Sequence, residues 1–199
     1  MLFLKRAFRS FGEERCADLA DFERLITSAP PRALFAAWRQ IWRGERLPDK
    51  EALDITLFKR FLADVFLYQY DPQRKDFFIK LVGNNILTVR QGHYKPGQYL
   101  DELMGKESGM RGRYLWRQTI ERPCALVSLR QREQERLSER IILPLRDKAG
   151  NFFVIGATQY HSGFVARMDY EPLTKLTNRA LFLELGKIPP TPAPPPIGG

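Results

Sequence analysis

Two β-prone runs, Glu139-Arg140-Ile141-Ile142-Leu143-Pro144-Leu145-Arg146 and Phe152-Phe153-Val154-Ile155-Gly156-Ala157-Thr158-Gln159-Tyr160, flank the polar loop Asp147-Lys148-Ala149-Gly150-Asn151. Such a pair predicts a β-hairpin, and a hairpin with one apolar face demands a core to lie against. Ile141, Leu143 and Leu145 share one face; Arg140, Ile142, Pro144 and Arg146 share the other. Asp and Asn side chains can bond their own backbone, and Gly150 can take the positive φ that reverses the chain. Pro144 has no amide proton to give to a ladder, so it is expected at an edge, at a lapse in pairing or, the preferred expectation, at a bulge.

Upstream, the apolar spacing changes period several times. Leu19, Phe22, Leu25 and Ile26 predict a helix over 17–28, interrupted by Pro30 and Pro31. A second helix is expected from Pro31 to Gly44, with Leu34, Trp38, Ile41 and Trp42 on one stripe, and a third around Leu53, Leu57, Phe58 and Phe61. The run from Val65 to Tyr70, the polar turn Asp71 to Asp76 and the run from Phe77 to Gly83 predict another hairpin, with Lys80 outward and Phe77, Ile79 and Leu81 inward. Short helical pieces over 84–104 and a firmer helix from Met110 to Glu121 precede Cys124 to Leu129, a further strand. A helix is expected over Leu173 to Leu185, and the Pro-rich tail from Ile188 to Gly199 cannot build a core.

The charge is +9, yet from Lys106 to Lys148 eleven basic residues are interleaved with six acidic ones. Interleaving favours a salt-bridged surface over a stripe that tracks phosphates, although a basic nucleic-acid-binding protein is the alternative to be tested. No run reaches the roughly 18 to 20 apolar residues of a membrane span. No secretory signal is read at the start either, so a cytoplasmic location is expected. Cys16 and Cys124 have no CxxC spacing, and His93 and His161 are the only histidines, so neither a disulfide framework nor a metal site is suggested. No GxSxG, Walker, GxGxxG or HExxH pattern occurs. The expectation is a protein that is not an enzyme, and the residues name no cofactor.

The order of elements, two strands, short helices with one longer helix, then three strands, resembles a PAS domain. Trp38, the turn 43–48 and Asp54-Ile55 lead into it; Leu81-Val82-Gly83, Gly97-Gln98-Tyr99-Leu100-Asp101-Glu102 and Leu143-Pro144-Leu145 follow in order. In these features the chain resembles the PAS-like family of small alphaproteobacterial proteins, over about residues 34–160. The resemblance implies an α+β fold: a five-stranded antiparallel sheet with short helices on one face. Around it stand an N-terminal helical extension (1–33), a C-terminal extension expected to be helical (161–187) and a disordered tail (188–199).

It also implies a sensory or regulatory module that acts by associating with a second copy or another protein. A small molecule would sit between sheet and helices, in a space lined by Leu81, Ile86, Val89, Leu115, Ile155 and Ala157; all six are ordinary interior residue types, and a filled core is the preferred expectation. Phe22, Ile26, Trp38 and Trp42 are the candidates for a partner surface, with packing onto the domain as the alternative.

Overall fold

The computed structural model describes residues 11–44, 47–90, 94–104, 106–132, 135–161 and 176–192. In chain order the elements are β1 (Phe11–Arg15), α1 (Leu19–Leu25), α2 (Ala29–Ile41), two 3₁₀ stretches (Lys50–Ala52 and Ile55–Asp64), β2 (Val65–Asp71) and β3 (Asp76–Val82). Then come α3 (Asn84–Val89), α4 (Leu100–Met104), α5 (Lys106–Glu121), β4 (Cys124–Arg132), β5 (Glu135–Arg146), β6 (Phe152–Tyr160), β7 (Leu176–Glu184) and a last 3₁₀ turn (Leu185–Lys187).

The hairpin of β5 and β6 forms with Ile141 opposite Ala157 and Leu143 opposite Ile155. Its loop closes as the residue types require: Asp147 accepts from the Asn151 amide at 2.8 Å, and Gly150 has φ +85°. Pro144 makes no bulge. It stands opposite Val154 in regular register, just past Ile142, the last residue of β5 that pairs with β4. The lapse in pairing on that side accommodates the ring, and the Pro144 carbonyl accepts from the Trp38 indole at 2.9 Å.

The strands form a seven-stranded mixed sheet in the order β1-β7-β4-β5-β6-β2-β3, antiparallel throughout except for β1 against β7. The sheet is wider than the five strands expected, because both chain extensions add to it. Phe11–Arg15 is a strand, not part of a helical extension, and the helix expected over Leu173 to Leu185 is β7 where it is described. The leucine spacing there fits a helix, but nine residues find partners on the open edge of β4, and that tertiary pairing outweighs local preference.

Helices lie on both faces rather than one. Under α1 and α2, Phe22, Ile26, Leu34 and Trp38 pack on Ile141, Leu143, Leu145 and Leu183. Under α3, α4 and α5, Ile86, Leu100, Leu115 and Trp116 pack on Phe66, Phe77, Leu126 and Ile142. This explains why Ile141 to Leu145 is apolar without alternation, since a central strand covered on both faces has no solvent side. The core beneath α1 and α2 draws on residues from Cys16 to Ile188, and a boundary between 33 and 34 would fall inside α2.

A buried carboxylate fixes the entry to α2. Glu139, fully buried in β5, accepts from the amides of Thr27 and Ser28 at 3.0 and 3.1 Å and from both hydroxyls at 2.7 and 3.0 Å. Arg136 supplies the countercharge at 2.7 Å. One acidic side chain thus satisfies donors just ahead of the first turn of α2 and ties that face to the sheet.

The third expected helix is instead the pair of 3₁₀ stretches, each started by an aspartate: Asp49 accepts from Glu51 N and Asp54 from Thr56 N, both at 2.9 Å. At the other end of the chain, the first residues of the Pro-rich segment are anchored. Trp42 donates its indole to Ile188 O at 2.9 Å, and the Thr191 amide donates to Trp42 O at 2.9 Å.

Candidate ligand pocket

Alternation in β5 sends Glu139 to the α2 face and Arg140 to the opposite face, where the register places Ser128 on one side of it and Thr158 on the other. Arg140 donates Nε to Thr158 Oγ1 at 2.9 Å, and its guanidinium carbon lies 5.6 Å from the centre of the Phe66 ring. The Phe66 ring in turn lies over Gly156: a Cβ there would come within 2.1 Å of the ring and 2.5 Å of Ile141 O. Glycine at 156 is therefore a requirement of close approach, and it makes room for an aromatic ring beside a charged side chain.

A second arginine comes from the helical layer. Arg90 follows the last residue of α3, with its guanidinium carbon 5.8 Å from the centre of the Tyr94 ring. Its Nε is buried and has no hydrogen-bond partner among the described residues. Between the two arginines lies a cavity of about 20 Å³, room for roughly one water. Phe66, Tyr68, Ile86, Leu100 and Trp116 form its apolar walls; Arg90, Tyr94 and Arg140 form its polar side. Trp116 fixes the walls, stacked on Phe66 at 5.4 Å and edge-on to Tyr68 at 5.0 Å between ring centres.

The electrostatics are positive. Burial pushes the Tyr68 phenol up, and the fields of Arg140 and Arg90 partly offset that rise. Arg130 on the neighbouring strand is pushed down by burial and then by the positive charges of Arg90 and Arg140. Neither Arg90 nor Arg140 has a carboxylate partner among the described residues. A larger groove of about 240 Å³ at the β1 and β7 end of the sheet, which includes Glu14, Arg15 and Glu184, is different in kind. Each of its carboxylates is met by an arginine, Glu184 by Arg15, Glu14 by Arg179 and Glu13 by Arg111.

Of the six residues expected to line a pocket, Ile86 alone does so. Leu115 is buried on the same side, and Val89 is half-buried in α3. Ile155 and Ala157 are buried on the opposite face of the sheet, beneath α2. Leu81 is 45% exposed. The register shifts between Leu67 and Tyr68, so that Tyr68 faces Ile79 while Leu67 faces Leu81, and the shift turns Leu81 to the other face from Ile79.

The four residues considered for a partner surface are interior: Phe22 and Trp38 are 0% exposed, Ile26 1% and Trp42 3%. Trp38 and Trp42 stack at 5.9 Å, and each donates its indole within the chain. Burial resolves these four as packing, because an amphipathic stripe is the same signal whether it meets the chain's own sheet or another protein.

Arg140 was legible in part, as a charged residue on the same face as the buried Ile142. Its association with Arg90, fifty positions earlier, left no signal in spacing. His93 lies outside the described residues, and no cluster of metal-ligating side chains occurs among those described. Both thiols are raised by burial, Cys124 to about 12, which makes them poor nucleophiles. No helix of the described residues is long and apolar enough to cross a membrane. Comparison with family models, with curated proteins and with solved structures finds no match to this chain.

Proposed function

We propose that the chain is a non-enzymatic sensory or regulatory module of PAS-like build, which receives a small molecule in the Arg90/Arg140 pocket and acts by associating with another copy or another protein. What carries the reading is the placement of that pocket. Within the wider sheet, β3-β2-β6-β5-β4 runs as five contiguous antiparallel strands, and α3, α4 and α5, all between β3 and β4 in sequence, lie on one face of it. The cavity opens between this face and α3, the place a PAS-like module would keep its ligand.

Since Phe22, Ile26, Trp38 and Trp42 are interior, the association surface belongs elsewhere. Ile55, Leu57 and Leu62 on the second 3₁₀ stretch and Leu81 at the end of β3 are large apolar side chains left exposed. Sedimentation velocity on the full chain and on a Leu62→Glu/Leu81→Glu variant tests the reading. A self-associating wild type that becomes monomeric in the variant supports it. A monomer at all concentrations that instead binds nucleic acid, with affinity falling steeply as salt is raised, replaces it with the electrostatic alternative.

A further inference from the structure

The geometry points to a carboxylate as the group this pocket receives: we infer that a small organic acid binds with its carboxylate between the guanidinium groups of Arg90 and Arg140 and its carbon skeleton toward Phe66 and Trp116. The inference rests on the pocket reading above and names its ligand class.

Two arginines line one small cavity from two different layers of the fold, Arg140 from the sheet and Arg90 from the end of α3. Two guanidinium groups on one small cavity make its polar side positive, and a carboxylate complements that charge while it accepts hydrogen bonds. Arg90 Nε is already buried without a partner among the described residues, so a ligand oxygen there satisfies a donor that the fold leaves open. Arg140 is held at Nε by Thr158, which fixes the plane of the guanidinium and leaves its two Nη groups as the fork that matches a planar carboxylate.

The walls opposite that polar side, Phe66, Ile86, Leu100 and Trp116, are aromatic and aliphatic, which suits an apolar remainder. As folded, the space admits a water-sized group. A larger acid therefore needs the half-buried Tyr94 side chain to yield, while Arg90 keeps its place.

Isothermal titration of the full chain at fixed ionic strength, with acetate, butyrate, succinate and inorganic phosphate as probes and butyramide as the neutral isostere, tests the inference. At least one carboxylate should bind saturably and butyramide should not. Arg90→Met and Arg140→Met should each weaken that binding by about tenfold or more, the worth of one charge-assisted hydrogen bond. Far-UV dichroism should be unchanged in both variants; if either fails to fold, Arg90→Lys and Arg140→Lys keep the charge, lose the fork and should still weaken binding.

Binding of phosphate alone, binding unchanged in the folded variants, or no saturable carboxylate binding would each overturn the inference. Native mass spectrometry separates it from the broader reading. A neutral molecule retained stoichiometrically would leave a sensory module and remove the acid, whereas a carboxylate that binds through both arginines without altering association would keep the site and remove the sensory role.

Discussion

At the residue scale, the buried carboxylates of Glu139 and Asp76 are each held by several partners, and Asp76 shows what that implies for its response to pH. Its carboxylate is fully buried at the start of β3 and accepts from the Phe77 amide at 2.7 Å and the Asp101 amide at 3.3 Å, with Arg113 3.5 Å away. Burial outweighs these contacts and raises its pKa above the ordinary 3.8. Between the unfolded and folded values the folded chain binds the extra proton, so this carboxyl makes stability fall as pH rises through that window. Asp76→Asn cannot titrate. Urea midpoints measured from about pH 3 to 6 should therefore favour the variant increasingly as pH rises. Parallel curves for the two proteins would show that Arg113 and the two amides offset the burial penalty in full.

Among the elements, α2 joins the two ends of the chain. Its N-terminal approach is held by Glu139 of β5, its interior by the contact of Trp38 with Pro144, and its last turn by residues beyond β7. Trp42→Phe keeps an aromatic ring against Trp38 but removes the donor to Ile188 O. The loss should be about 1 kcal/mol of stability, the net worth of a typical hydrogen bond. It should also be local, with faster hydrogen exchange at the Thr191 amide, which donates to Trp42 O. Unchanged exchange at Thr191 would mean that its own contacts, including the hydroxyl bond to Arg39 O at 2.6 Å, suffice to hold the segment.

For the whole molecule, the extensions belong to the sheet and its cores. β7 pairs with β4 over nine residues, from Cys124 opposite Glu184 to Arg132 opposite Leu176, and it is the strand on which β1 rests. It also contributes Leu181 and Leu183 to the core beneath α1 and α2. A chain cut after His161 keeps all five strands of the PAS-like order, yet it would expose the β4 edge and open that core. It should lose its cooperative thermal transition and self-associate, as followed by calorimetry and light scattering. A soluble monomer that melts cooperatively would show that β1 and β7 are additions to a domain already complete.

The sequence alone determined what depends on neighbours along the chain. The hairpin of β5 and β6 follows from two apolar runs and a loop whose Asp147, Gly150 and Asn151 have the chemistry of a reversal. The pairing of β2 with β3 and the helix ending at Glu121 follow from equally local period and punctuation. What depends on distant partners needed the tertiary structure. β7 is a strand because β4 offers it an edge, and Leu81 changes face because a register shift intervenes. Phe22, Ile26, Trp38 and Trp42 are interior because the apolar face of the sheet lies beneath them. Arg140 and Arg90 share a cavity through the packing of α3 on the strands, a relation between residues that no periodicity encodes.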